Sequence, residues 1–325
     1  MRMEYAMQNP VLKLAAIAAA LLPLSAYASC GAAFCTVNTN WTTQSAQIEA
    51  GTSYDLRYES MQQDQVYNGS DRIAVGGIHH HHDEVSTDNR NLVATLSHNF
   101  ANGWGVSLTM PLVDKDHLHI HNHHGGQIDE RWNFRKVGDV RVQGRYQFLA
   151  PSDPLAPSSA GLSFGLKLPT GKQDVANGDG DVAERSLQSG SGTTDLLLGA
   201  YYHRTLTAED ASWFVQGQYQ HALNEHHGYK PGAQIGMDMG VRKGMGDKLG
   251  ALLQLNLLHK SRDSGSEAEP ADSGGRYIFL SPGLSYALTG QTQLYGFYQH
   301  ALYRKVNGVQ LTAPHAFVFG IAGRL

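Results

Sequence analysis

Residues 48–58 read Ile48-Glu49-Ala50-Gly51-Thr52-Ser53-Tyr54-Asp55-Leu56-Arg57-Tyr58. Apolar and polar side chains alternate here, with Tyr54, Leu56 and Tyr58 on one side and Asp55 and Arg57 on the other. A period of two is typical of a β-strand, because successive side chains point to opposite faces of a sheet. The stretch predicts a strand with one apolar and one charged face, as expected in a soluble sandwich and in a membrane barrel alike.

The same alternation recurs to the C-terminus in segments of about ten residues, the length a tilted strand needs to cross a bilayer. Strands of soluble proteins are shorter, at about five or six residues. We place strands at residues 46–59, 90–100, 103–113, 137–149, 160–169, 193–206, 212–222, 232–243, 248–259, 276–288, 292–303 and 314–325. The sequence therefore predicts an all-β fold, an antiparallel up-and-down transmembrane β-barrel of about 12 strands.

The connections between these strands alternate between tight turns and long polar loops. Gly or Asn occurs in turns such as residues 101–103 and 289–291, where it supplies positive φ. The long loops lie near residues 60–89, 114–136, 170–192 and 260–275. Outer-membrane barrels have short periplasmic turns and long outer loops, so we expect both chain termini on the periplasmic side.

The N-terminal segment predicts export. An apolar run at residues 14–24 follows a positively charged start, and Ala26 and Ala28 fit a cleavage site. We expect a signal peptide over residues 1–28, a periplasmic N-terminal segment over residues 29–45 and the barrel over residues 46–325. The predicted location is the outer membrane of a Gram-negative cell. Its partners there would be lipid and the barrel-assembly machinery, which recognises terminal strands like the alternating one that ends at Leu325.

Composition narrows the classes of partner. The 325 residues carry a net charge of -4, and Lys and Arg (25) are fewer than Asp and Glu (29), so nothing points to nucleic acid. Both cysteines, Cys30 and Cys35, lie near the predicted mature N-terminus. Export makes a disulfide between them the favoured interpretation, and a thiol pair for a soft metal such as Cu(I) is the alternative.

Histidine is abundant, with 17 residues. Most lie in three groups: His79, His80, His81 and His82 with Asp83 and Glu84; His117, His119, His121, His123 and His124; and His226 with His227. If residues 117–123 are extended, the alternating imidazoles share one face, about 6.6 Å apart. Neutral imidazole beside carboxylates suits Zn²⁺, Ni²⁺ or Cu²⁺. The alternation of turns places all three groups in outer loops, where we predict capture of a divalent metal that the fold itself does not require.

Other interpretations of these motifs remain open. Histidine-rich loops can bind metal incidentally, and several histidines together can respond to acid. Residues 177–181 look like a calcium loop but lack its sixth-position glycine and twelfth-position acid, which favours a solvated loop. Ser97 and His98 are residue types that a hydrolase uses, yet on a strand they point to opposite faces. We therefore expect no enzyme.

Charged side chains on the polar strand faces are predicted to line the lumen, because lipid-facing charges are unfavourable. They are Glu49, Asp55, Arg57, Arg141, Arg145, Lys167, Asp238 and Arg242. The sequence allows either an open channel or an interior filled by ion pairs, since a barrel of this width permits both.

Several motifs resemble the outer-membrane proteins grouped around the meta-pathway of phenol degradation, which are described as transporters. They are Gly138-Asp139-Val140 leading to Tyr146-Gln147-Phe148, Leu166-Lys167-Leu168-Pro169-Thr170-Gly171-Lys172, Gly190-Ser191-Gly192-Thr193-Thr194-Asp195 and Ser281-Pro282-Gly283-Leu284. The resemblance covers most of the mature chain and implies a monomeric barrel that takes up small organic solutes. It supplies no catalytic residue.

We therefore predict a porin-like outer-membrane channel or transporter for small solutes, with histidine-rich outer loops that capture a divalent transition metal. The alternative is a closed barrel that binds or senses metal at the surface without transport.

Overall fold

A computed structural model describes residues 50–78, 82–123, 126–149 and 157–325. The predicted signal peptide and N-terminal segment, with Cys30, Cys35 and Glu49, lie outside the described residues. Within them the strands are β1 (Gly51–Gln63), β2 (Gln65–Asn68), β3 (Asp71–Arg72), β4 (His82–Asn99), β5 (Trp104–His123), β6 (Gly126–Val137), β7 (Val140–Leu149), β8 (Ser158–Leu168), β9 (Asp195–Leu206), β10 (Ala211–Ala222), β11 (Gln234–Met245), β12 (Leu249–Lys260), β13 (Gly275–Ala287), β14 (Thr292–Val306), β15 (Val309–Thr312) and β16 (His315–Arg324). In this part of the chain no helix is long and apolar enough to cross a membrane.

Twelve of the described strands close into an antiparallel barrel. Their order around the barrel is β1, β4, β5, β7, β8, β9, β10, β11, β12, β13, β14 and β16, and each pairs with the next. The sheet closes where β1 pairs with β16, with Ser53 opposite Arg324 and Met61 opposite Ala316. The predicted fold class and strand number are confirmed.

The alternation in the sequence becomes an apolar belt around the barrel. On β4 and β5 the outward side chains Leu92, Leu96, Leu108 and Met110 are exposed on the face that outer-membrane barrels turn toward lipid. Trp104 packs on Tyr146 with ring centroids 4.8 Å apart, beside the β4–β5 turn. Aromatic residues at this level form the girdle that outer-membrane barrels place at the membrane surface.

Within the described residues, tight turns connect the strands at the end of the barrel where β1 begins and β16 ends. Gly103 (φ 84°) and Gly246 (φ 79°) adopt left-handed backbone in two of them, and Asp210 (φ 43°) does so in a third. The long connections lie at the opposite end. The two ends therefore correspond to the periplasmic and outer sides of a bacterial barrel.

Two neighbouring strands, β4 and β5, extend well beyond the length needed to cross the membrane. β4 and β5 have 18 and 20 residues, against the about 9–11 that span the bilayer. β6 pairs with the outer part of β5. After Gly138 and Asp139, β7 pairs with the inner part of β5 along the same edge of that strand. The expectation of a loop over residues 114–136 is therefore wrong: cross-strand pairing with β4 and β6 keeps this region extended.

The outer ends of the strands are covered by an apolar cluster that we call the outer cap. Its buried members come from β2, β6, β15 and the β8–β9 connection, and they are Val66, Trp132, Phe134, Val175, Ala183, Leu187, Val309 and Leu311. β2, β3 and β15 form a separate small sheet. Burial of these side chains fixes the long connections over the mouth of the barrel.

Candidate functional site

The register of β4, β5 and β6 brings histidines and carboxylates together on the inner face. His82 lies opposite His121 and Glu84 lies opposite His119 in the β4–β5 pair. The register shifts between Glu84 and Ser86. This β-bulge adds one residue to β4, so that Thr87 faces the same side as Glu84 although it lies three positions later.

β6 supplies the third side of the site. Its Glu130 lies opposite His119, and Trp132 lies opposite His117. The Trp132 ring centroid is 4.9 Å from that of His119 and 5.8 Å from that of His117. Since Trp132 also belongs to the outer cap, the apolar cluster shields the two histidines from solvent.

Glu84, His117 and His119 form what we call the inner group. One ligand-type atom from each lies within 4.8 Å of the others. His117 Nε2 is 3.4 Å from His119 Nδ1 and 3.8 Å from Glu84 Oε2. All three side chains are buried, with exposures of 2% for Glu84, 0% for His117 and 2% for His119.

The ring nitrogens that face away from the inner group have partners of their own. His117 Nδ1 is 2.9 Å from Thr87 Oγ1, and His119 Nε2 is 2.7 Å from Glu130 Oε2. Metal-binding histidines usually bond their second nitrogen in this way, because the contact fixes ring orientation and tautomer. With these contacts made, His117 Nε2 and His119 Nδ1 face each other, and His117 Nε2 lies beside the Glu84 carboxylate.

His82, His121 and Glu130 form a second set, the outer group, whose ligand-type atoms also lie within 4.8 Å of one another. Glu130 Oε1 is 3.0 Å from His121 Nδ1. The His82 ring stacks on His119 at 4.5 Å and meets His121 edge-on at 4.7 Å. The two groups are therefore direct neighbours, with Glu130 contacting a histidine of each.

The electrostatics of this region, which lies beyond the membrane-spanning part of β5, favour the ligand forms of both residue types. Burial, with the nearby His119 and Lys115, holds the pKa of His117 well below its usual value, so its imidazole is neutral near pH 7. Burial opposes ionisation of Glu130, but hydrogen bonds from His119 and His121 outweigh it and lower the pKa of this carboxyl group. Neutral imidazole and ionised carboxylate are the forms that coordinate a metal.

The remaining predicted metal ligands do not join these two groups. The Asp83 carboxylate accepts a hydrogen bond from Asn122 Nδ2 at 2.8 Å. His226 and His227 lie at the same end of the barrel, but they stack on each other at 4.1 Å and contribute to neither group. The side chains of His79, His80, His81, His123 and His124 lie outside what the structure describes.

The prediction from the sequence does not include Glu130, because it places residues 114–136 in a loop. The signal for this residue lies in the period-two pattern of Glu130, Trp132 and Phe134, which places all three on one face of a strand. Pairing with the alternating histidines of β5 would have predicted Glu130 as a ligand.

The residues predicted to line the lumen, where the structure describes them, alternate along their strands with exposed apolar side chains. Arg57 contacts Asp55 at 3.2 Å and Glu59 at 2.7 Å, and Asp238 accepts a hydrogen bond from Asn256. Lys167 lies between Asp139 at 3.1 Å and Asp195 at 3.0 Å. Arg141 donates to Gln220, Arg145 donates to Asn99, and Arg242 contacts Asp210 close to a periplasmic turn.

The periplasmic half of the lumen contains a cavity of about 570 Å³, counting the space open to solvent. Arg145, Tyr201, Gln143 and Ser97 are among its lining residues. His98 lies on the other face of β4, with Nδ1 2.9 Å from Thr52 Oγ1. Ser97 and His98 therefore do not form a nucleophile–base pair, and the structure gives no support to a hydrolase site here.

The fold defines the class of protein. A closed barrel with an apolar belt, short turns at one end and long connections at the other is an outer-membrane β-barrel. The chain belongs to the family described as "Putative MetA-pathway of phenol degradation", whose model matches residues 93–310. The predicted family and the outer-membrane location are thereby confirmed.

No curated protein matches the chain. Among solved structures, it is similar to the COG4313 outer membrane channel from Pseudomonas putida F1, with 12% identity and a TM-score of 0.62 over 85% of this chain and 96% of that chain. It also matches the KdgM porin in complex with disordered oligogalacturonate, with 13% identity and a TM-score of 0.43 over 84% and 99% of the two chains. A Pseudomonas aeruginosa FadL homologue matches with 9% identity and a TM-score of 0.41 over 85% and 90%. At these identities, the likeness to the COG4313 channel shows a shared fold.

Proposed function

We propose that this outer-membrane barrel is a channel for small solutes whose outer end captures a divalent transition metal at the inner group. The convergence of buried Glu84, His117 and His119 carries the metal assignment. Buried polar side chains are unfavourable unless they are paired or bind an ion, and here two imidazole nitrogens and a carboxylate oxygen approach one point.

The ligand set narrows the chemistry of the ion. Two imidazoles and one carboxylate suit Zn²⁺, Ni²⁺ or Cu²⁺ rather than Ca²⁺ or Mg²⁺, which prefer oxygen ligands. Three protein ligands leave a tetrahedral ion with an open fourth position, whereas structural zinc sites use four. An ion held in this way exchanges more readily with solvent or with another ligand, which fits capture better than permanent structural binding.

Metal binding is tested with the purified, tag-free barrel and Zn²⁺ in calorimetric titrations. We expect His117→Asn and His119→Asn each to weaken Zn²⁺ binding at least about 100-fold, since each removes a direct ligand rather than an orienting contact. The matched control is His226→Asn with His227→Asn, outside both groups, which should leave the affinity unchanged. Unchanged affinity in the His117 and His119 variants would reject the inner group as the site.

Channel activity is tested by conductance in planar bilayers. Continuous ion current through the folded protein is expected if it is a channel. The absence of current would favour the second candidate, a closed barrel that binds or senses metal. The burial of the outer cap and the ion pairs of Lys167 and Arg57 inside the barrel are the observations that favour this second candidate.

A further inference from the structure

The outer group differs from the inner group in its access to solvent. The His121 and Glu130 side chains are 23% and 19% exposed and His82 is 7% exposed, whereas no residue of the inner group is more than 2% exposed. Both groups lie on the continuous inner face of β5, because His117, His119 and His121 alternate along one strand. An ion arriving from outside therefore meets the outer group first.

Glu130 connects the two groups through defined hydrogen bonds. An ionised carboxylate only accepts, so His119 Nε2 and His121 Nδ1 must both donate to it. For a neutral His119, that leaves the Nδ1 lone pair facing His117 in the inner group. The Glu130 carboxylate thus orients His119 of the inner group through Oε2, and it is itself a member of the outer group.

The surroundings contain several carboxyl groups that would balance the charge of more than one bound cation once they are ionised. Glu84 and Glu130 each belong to one group, and Glu184 from the β8–β9 connection lies near both. Both Glu184 carboxylate oxygens are inaccessible and have no hydrogen-bond partner among the residues that the structure describes. Burying several carboxylates together is costly without compensating positive charge, and bound divalent ions would supply it.

We propose that the barrel binds two transition-metal ions side by side, one in the inner group and one in the outer group, with Glu130 as the carboxylate that links them. The outer group is the entry site, and the inner group is the retaining site. This inference rests on the proposed metal-capture function and adds a second ion to it.

The first test counts ions bound to the tag-free protein by calorimetry with Cu²⁺ and by elemental analysis after gel filtration. We expect two ions in the unaltered protein and one in the His82→Asn, His121→Asn double variant, which keeps the inner group intact. A variant with His79, His80 and His81 changed to Asn should still bind two. One ion in the unaltered protein, lost in His117→Asn, would overturn the second site and leave the proposed function standing. No bound ion would overturn both.

The second test measures the separation of the ions. Two Cu²⁺ ions in adjacent groups should couple magnetically, which weakens the ordinary electron paramagnetic resonance signal and adds a half-field transition. The His82→Asn, His121→Asn variant should show an uncoupled single-ion spectrum of full intensity. Two bound ions with uncoupled spectra in the unaltered protein would place the second ion elsewhere and overturn the proposal. A difference in gel mobility between unheated and boiled samples (heat-modifiability) checks that each variant is folded.

Discussion

Lys167 Nζ lies 3.0 Å from Asp195 Oδ2, and both side chains are almost completely buried at the outer end of the barrel wall. The same ammonium group contacts Asp139, whose carboxylate accepts hydrogen bonds from the backbone N–H groups of Gly171 and Ser191. Gly171 and Ser191 stand at the two ends of the β8–β9 connection, which contributes three side chains to the outer cap. This buried ion pair therefore anchors the cap to the barrel.

Lys167→Met should loosen the outer cap. It leaves two buried carboxylates without their cation, a change that costs about 3–5 kcal/mol in comparable sites. We expect faster trypsin cleavage at Arg185 and a lower melting temperature. Lys172→Met is the matched control, because Lys172 and its partner Asp174 are largely exposed and such pairs add little stability. Equal protease resistance in both variants would contradict the anchoring role.

Trp132 should report occupancy of the inner group. Its ring lies within 6 Å of the rings of His117 and His119, so bound Cu²⁺ should quench its fluorescence strongly. We expect Cu²⁺ to remove part of the emission of the unaltered protein, which has four tryptophans, and far less in Trp132→Phe. Trp213→Phe, on a barrel strand, is the control and should keep the quenching. Full quenching in Trp132→Phe would mean that copper binds elsewhere.

Glu184 should make stability depend on pH. Burial, with Glu269 and Glu84 nearby, raises the pKa of this carboxyl group well above its ordinary value of 4.5. A raised pKa means that the folded state binds the proton more tightly, so this contribution to stability is full below pH 4.5 and is lost as the pH rises through the folded-state pKa. In the presence of a chelator, Glu184→Gln should therefore raise the melting temperature at pH 8, with a smaller gain at pH 5.

The exposed residue Glu267 provides the comparison for this measurement, and Glu267→Gln should leave the melting temperature unchanged at both pH values. If Glu184→Gln is no more stable than the unaltered protein at pH 8, ionisation of Glu184 does not destabilise the folded state at that pH.

The lipid-facing belt predicts that an arginine has different costs in folding free energy at two neighbouring positions of β5. Leu108 faces outward and is exposed, whereas Ser107 lines the lumen cavity. Leu108→Arg should cost about 2–4 kcal/mol of folding free energy near the membrane midplane, because the charge enters lipid. Ser107→Arg should cost much less, because its side chain points to water. Equilibrium folding into lipid vesicles measures both, and equal costs would contradict the assigned orientation.

The sequence by itself determined the barrel. Period-two alternation in segments long enough to cross a bilayer, with tight and long connections in turn, predicted twelve antiparallel strands. Ten of them lie within about five residues of the observed bounds, whereas β4 begins 8 residues earlier and β5 ends 10 residues later than predicted. It also identified Glu84, His117 and His119 as residues of ligand type. Both results depend on local properties, namely side-chain direction along a strand and residue chemistry, which can be read from a single chain.

Only the tertiary structure decided how the histidines are arranged. The bulge between Glu84 and Ser86 and the pairing of β5 with β6 set which side chains meet, and both are properties of contacts between distant segments. They turned a predicted loop into strands, added Glu130 and excluded His226 and His227 from the two groups. The strand register cannot be read from a polar segment whose two faces lack a clear apolar pattern. The sequence could therefore name candidate ligands but could not show which of them meet.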